Sequence, residues 1–245
     1  MKTSIVLILL ILLAEPIFAA VMTSSNYSIQ SDTVNFGGGF STSTNYEQES
    51  TFGEIATGES ESASYEIKAG YQQMQEIYLA IGAVADVALT PSIDGATGGT
   101  ANGSTTVTVT TDSAAGYGLY IKASSSPALA SGSNSFADYT PSGVSPDFAF
   151  SIAATVAEFA YSPEGSDIVS FFKDDSSSCN TGALDTNDSC WYPLTTSNRQ
   201  IAGSSSGNHP SGTATTIEFR ASSGASNTQA AGTYTATTTV TAVAL

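Results

Sequence analysis

Hydrophobic and polar residues alternate with a period of two along much of this chain. From Ser60 to Tyr71, Ala63, Tyr65, Ile67, Ala69 and Tyr71 fall on one side and Ser62, Ser64, Glu66 and Lys68 on the other. Successive side chains leave opposite faces of a pleated backbone, so this stretch reads as a half-buried strand. It belongs to a repeat: Tyr27, Tyr46 and Tyr65 stand nineteen positions apart, and Ser24, Ser43 and Ser62 each precede their tyrosine by three. The second copy keeps the polar face (Ser41, Ser43, Asn45, Glu47, Glu49) but has Gln48 where the others have Ile29 and Ile67, which weakens its buried face. Gly37-Gly38-Gly39 and Gly58 are the expected turns, since glycine accepts positive φ without a steric penalty. Short strands over Val34–Phe36 and Glu54–Ala56 complete a unit that reads as repeated hairpins. A small antiparallel sheet is the favoured arrangement; a solenoid is the other, and three units are the minimum for one. The tyrosines are expected to be structural anchors with buried rings. The competing expectation is a row of exposed rings that stack on sugars.

Alternation resumes after a polar join at Gln72–Gln75. Ile77, Leu79 and Ile81 alternate, and further strands are predicted over Thr105–Thr111, Tyr117–Ile121, Phe148–Ile152, Glu158–Tyr161, Ile168–Lys173 and Thr215–Ala221. Val107, Val109, Tyr117, Leu119, Ile121, Ile217, Phe219 and Ala221 form the inward set. Loops rich in Ser, Gly, Asn and Pro separate them, such as Ser124–Asn134 and Gly203–Gly212. Short strands with frequent turn signals and no helical period point to a β-sandwich. The chain therefore divides into residues 1–20, 21–75 and 76–245, the second a hairpin repeat and the third the sandwich; the fold class is all-β.

Residues 1–20 read as a secretory signal: Lys2, an apolar run from Ile5 to Leu13, then Phe18-Ala19-Ala20 as the cleavage region. The run is too short to span a bilayer, which takes about 20 residues. No cysteine follows the cleavage region to carry a lipid, so the mature protein is expected outside the cytoplasm, secreted or on the cell surface, without a membrane span. Charge narrows the partners. The formal net charge is −16, and Lys68 is the only base between Asn26 and Tyr71, against seven carboxylates. Nucleic acid and anionic membranes require clustered Lys and Arg, so both are expected not to bind.

The C-terminal segment Ala231-Gly232-Thr233-Tyr234-Thr235-Ala236, running on to Val240, resembles the closing strands of immunoglobulin-like bacterial surface modules. There a Gly-x-Tyr step sets a tyrosine at a corner, its hydroxyl bonded back to the chain. Ala236 stands where such modules carry a cysteine two positions after the tyrosine, so no inter-sheet disulfide is implied. The segment also resembles the end of WxL cell-wall-binding domains, but Trp-x-Leu does not occur. The repeat region is similar to the N-terminal parts of exported surface proteins of uncultivated bacteria, in its Asn-Tyr strands and its Gly53-Glu54-Ile55-Ala56-Thr57-Gly58 turn. These resemblances imply a surface location and an immunoglobulin-like or jelly-roll-like sandwich, and carry no activity with them.

Cys179 and Cys190 are the only cysteines, and in an exported chain they are expected to form a disulfide. Trp191 is expected to pack on that bridge. Asp174, Asp175, Asp185, Asn187 and Asp188 lie in or beside the loop. Oxygens at alternate positions over Asp185-Thr186-Asn187-Asp188-Ser189 suit a hard cation such as Ca²⁺, although Cys190 occupies the position where a calcium loop needs glycine. A solvated acidic turn is the plainer reading, and no other cofactor is expected. His209 is the only histidine; a histidine triad would need every other member to converge on its loop. No nucleophile elbow or phosphate-binding glycine loop occurs. A non-enzymatic structural or adhesive surface protein, self-assembling by strand addition or pairing with other surface proteins, is the expectation that results. A carbohydrate-binding module that stacks sugars on Trp191 and Tyr192 is the alternative.

Overall fold

The computed structural model describes residues 22–23, 28–29, 37–44, 46–53, 58–61, 66–69, 77–143 and 145–245. The chain divides into two units, Met1–Glu76 and Ile77–Leu245. The signal region lies outside the described residues.

The first unit is a set of antiparallel hairpins: β1 (Met22–Thr23) with β2 (Ser28–Ile29), β3 (Gly37–Thr42) with β4 (Glu47–Phe52), and β5 (Gly58–Glu61) with β6 (Glu66–Ala69). Each is a separate two-stranded sheet, so the repeat does not merge into the single sheet expected from the alternation. The innermost pairs are Thr23↔Ser28, Thr42↔Glu47 and Glu61↔Glu66. Between them stand Ser24-Ser25-Asn26-Tyr27, Ser43-Thr44-Asn45-Tyr46 and Ser62-Ala63-Ser64-Tyr65. The described strands thus recur as hairpins, and in the second copy Ser43 and Tyr46 lie in the connection between Thr42 and Glu47, not the middle of a strand.

The second copy shows why. The Tyr46 N–H donates to Ser43 Oγ at 3.1 Å and the Ser43 N–H to the Tyr46 carbonyl at 2.7 Å. A serine hydroxyl satisfies the backbone locally here and so favours a turn over a continuing ladder. Tyr46 is 80 % exposed, so it is not the buried anchor expected of it; Tyr27 and Tyr65 lie outside the described residues. The strand expected over Ser60–Tyr71 is divided between β5 and β6. Gly37-Gly38-Gly39, expected as a turn, lies inside β3 opposite Phe52, Thr51 and Ser50.

The second unit is a β-sandwich. Its strands are β7 (Leu79–Ile81), β8 (Gly99–Thr111), β9 (Tyr117–Ala123), β10 (Leu129–Ser131), β11 (Asn134–Asp138), β12 (Ala157–Glu164), β13 (Arg199–Ser204), β14 (Thr213–Ser223) and β15 (Thr238–Ala244). One sheet runs β10-β11-β12-β14-β8-β7, the other β13-β9-β15. Long β8 and β14 pair without a break from Thr213↔Val109 to Ser223↔Gly99 and form the backbone of the larger sheet. Val107, Val109 and Ile217 from that sheet meet Tyr117, Leu119 and Ile121 of β9, all fully buried. The core is the inward set that the alternation predicts. Tyr117 carries a hydroxyl into it and donates to Asp167 Oδ2 at 2.9 Å. Burial and that carboxylate push the phenol's pKa well up.

Sequence and structure part at the irregular segments. Phe148–Ile152 is not a strand; it folds over the outer face of β12, where Phe150 and Ile152 find their own small core. Ile168–Lys173 contains a 3-10 turn at Ser170–Phe172, which throws Phe171 and Phe172 together edge-on. The loops expected at 124–134 and 203–212 give up residues to β10, β11 and β13, held by Leu129, Phe136 and Ile201 in the core. The last strand begins only at Thr238, because Tyr234 turns the chain first. Its hydroxyl donates to the Ala230 carbonyl at 2.8 Å and accepts from Gln229 Nε2 at 2.8 Å, while its ring meets Phe136 edge-on. That bond back to the chain is the tyrosine corner expected from the Gly-x-Tyr step.

Candidate functional site

Two features of the sandwich have the makings of a site: the disulfide loop and a groove on its inner side. Cys179 and Cys190 are bonded, with Cα atoms 5.6 Å apart. The loop is organised by Asp174, which the sequence reading grouped with its acidic neighbours but did not place among the cation ligands. Asp174 is fully buried, and its carboxylate accepts from the Ser176 N–H (2.7 Å), the Thr186 N–H (2.9 Å) and the Thr186 hydroxyl (2.8 Å). Burial alone would raise its pKa, but those donors together outweigh burial and hold it below the ordinary aspartate value. Its backbone pairs with Leu184 in both directions. Gly182 is required beside it: a Cβ there would collide with the Asp174 carbonyl. Among the described residues, all four non-glycine residues with positive φ lie here, at Ser176, Asn180, Asp188 and Cys190.

The expected cation ligands do not converge. Asp185 Oδ2 accepts from the Gly165 N–H at 2.7 Å, and burial raises its pKa, the opposite of what a ready cation ligand needs. Asp188 pairs with Arg220 at 2.5 Å, and its N–H donates to Glu164. Asn187 contributes its carbonyl to the Ser189 hydroxyl. No group of three His, Cys, Asp or Glu close enough to hold a metal occurs among the described residues.

Trp191 does not pack on the disulfide. Cys190, in a left-handed conformation at φ 63°, enters the main core, while Trp191 lies on the outer face of β12 against Ala160, Tyr139 and Phe150. It is 1 % exposed, its indole N–H donates to the Asp188 carbonyl, and the Arg220 guanidinium caps its ring at 4.3 Å. No ring face is left for a sugar. Tyr192 is half-buried between Phe171 and Phe172, with Arg199 over its ring and bonded to its hydroxyl. Tyr139 closes the same side: its hydroxyl donates to buried Asp147 at 2.7 Å, and burial with that carboxylate pushes its pKa up to about 12. His209 stands edge-on to Tyr78.

The inner side of the larger sheet is finished differently. Three strands face six, and where the smaller sheet stops lies a groove of about 1040 Å³. Beneath it lie Ala101, Leu129, Phe136, Phe159, Phe219 and Ala221, all of them buried. One wall is the chain from Thr233 to Thr238, leading into β15; the other is the extended segment Val84–Leu89. Val87 and Leu89 of that segment press onto β8 at Gly103, where a Cβ would overlap Val87. Among the described residues, the N–H groups of Ala83–Leu89 have no hydrogen-bond partner. At one end β15 packs against β7 and closes the groove; the other end, at Pro91–Gly95 and Gln229–Tyr234, is open. Sequence reasoning missed this feature, since Val84–Leu89 alternates like a strand yet pairs with none.

No protein-family model, curated protein or solved structure matches the chain.

Proposed function

We propose that this chain is an exported, non-enzymatic structural or adhesive subunit that assembles through strand addition. One observation carries the reading: the sandwich ends in β15, an edge strand bordering a groove with an apolar floor, and the N–H groups of the opposite wall have no partner among the described residues. An extended peptide laid beside such an edge gains main-chain hydrogen bonds, with pockets for alternate side chains. The disulfide suits an oxidising compartment, and no helix among the described residues is long and apolar enough to cross a membrane. The loop chemistry supports the same reading, since Asp174, Asp188 and Arg220 are occupied with one another's neighbourhoods and hold the fold.

The test is sedimentation velocity on the protein lacking residues 1–20 over a wide concentration range, with electron microscopy of the same samples. A concentration-dependent ladder of species is expected. A single monomeric species throughout would reject the proposal.

A further inference from the structure

The geometry points to the groove beside β15 as the acceptor for hairpin β5–β6 of a second copy of this chain, added head to tail. This rests on the assembly reading above and names its two surfaces.

The sandwich has four sheet edges, and three are defended. β7 and β10 are only 3 residues long each. β13 carries Arg199 and a register shift between Gln200 and Ala202. Short strands, charges and bulges are the devices that keep an edge from pairing with another chain. β15 has none of them. It pairs with β9 without a shift from Thr238↔Ala123 to Ala244↔Tyr117, and residues 221–245 contain no Asp, Glu, Lys or Arg. On a chain of net charge −16, such a surface is where another copy can approach without like-charge repulsion. Its inward residues also lack cover: Thr238, Val240, Ala242 and Ala244 are only partly buried, whereas Val107 and Val109 of β8 are wholly so.

The hairpins have the complementary need. A two-stranded hairpin is at best marginally stable in water, and a third strand is required for independent stability. Among the described residues β6 pairs with β5 alone. In the sequence Ile67 and Ala69 alternate with Glu66 and Lys68, the pattern of a strand with one apolar face. Asp86 is the one charged residue lining the groove, and Lys68 is the one base between Val21 and Glu76.

Polarity decides whose hairpin fills the groove. The chain enters the sandwich at Tyr78, whose N–H donates to Asp112 and whose carbonyl accepts from Thr111. It ends beside that point, where Leu245 bonds to Gly116 and Ser113. The groove opens at the other pole, by the start of β8. A strand of 13 residues spans about 40 Å at roughly 3.3 Å per residue. The chain therefore enters the sandwich at one pole and the acceptor opens at the opposite one. Such a heterologous contact repeats from copy to copy and builds an open filament unless its rotation closes a ring.

Two variants of the chain lacking residues 1–20 test this by sedimentation velocity. V84E/T237E places carboxylates on both walls at exposed positions and disables the acceptor; Val84 is 42 % exposed. I67E disables the donor. Each alone should need at least about tenfold more protein than wild type to assemble, a difference of about 1.4 kcal/mol. Mixed in equal amounts, they should give a dimer and nothing longer, because the one intact acceptor meets the one intact donor. Emission from the sole tryptophan, buried Trp191, reports that the sandwich remains folded; if the double variant loses it, V84E alone serves. Variants that assemble like wild type overturn the groove assignment while leaving assembly itself standing. A wild type that stays monomeric overturns both.

Discussion

The two faces of the six-stranded sheet meet opposite fates. Outside, β12 is sealed by Trp191, Tyr139 and Phe150, with Arg220 laid over the indole and a disulfide pinning the loop that delivers Trp191. Inside, the smaller sheet stops at β15 and leaves Phe159 and Phe219 flooring a groove. Polar groups follow the same division. Asp174, Asp147 and the Trp191 indole have their partners within the loop and its neighbours, whereas the N–H groups of Ala83–Leu89 have no partner among the described residues. A surface closed by a covalent link and a buried tryptophan is finished as it stands. A surface with an apolar floor and free backbone walls is suited to receive a strand.

The largest expected break in this contrast is Trp191→Ala. Removing a buried indole costs about 3–5 kcal/mol, and it also strips Arg220 of its ring and exposes Ala160. The unfolding midpoint in urea should fall sharply, while Val84→Ser on the groove wall should shift stability by no more than about 0.5 kcal/mol. Comparable losses at the two positions would erase the distinction between a sealed and an open face.

Next in size is the disulfide. Joining residues 11 apart contributes about 3 kcal/mol on the chain-entropy model. Cys179→Ser/Cys190→Ser should lower the midpoint by about that much and make residues 174–190 the first site cut in limited proteolysis. The groove wall should be cut no faster than before. Protection of the loop in the double mutant would mean that Asp174 alone holds it.

The smallest effect concerns acid. Hydrogen bonds hold the Asp174 pKa below its ordinary 3.8, so the ionised carboxylate is favoured by folding. Its contribution is fully present above that value and is lost as pH falls through the lower, folded-state pKa. With the disulfide intact, the loop should resist an acid-active protease at pH 5 and yield to it below about pH 4. Asp174→Asn should abolish that step and loosen the loop at neutral pH. An unchanged pH profile in the variant would remove Asp174 from its place at the loop's centre.

The sequence by itself determined the all-β class, the inward residues of β8, β9 and β14, the disulfide and the tyrosine corner. Each rests on local information: a two-residue period, two cysteines in a chain read as exported, a Gly-x-Tyr step. It also revealed the nineteen-residue repeat, but read Ser-x-x-Tyr as strand, because periodicity cannot show that Ser43 Oγ takes the Tyr46 N–H and turns the chain. What lay on the far side of each strand was settled only in three dimensions. Trp191 left the disulfide because the chain turns at Cys190, which enters the main core from a left-handed φ while the indole goes to the other face of β12. Asp174 became the loop's centre through donors from Thr186, 12 residues away. Val84–Leu89 alternates as a strand does, yet whether it gains a neighbour depends on how many strands the opposing sheet supplies. That number is a property of the packed sheets, set by long-range pairing, and no local pattern encodes it.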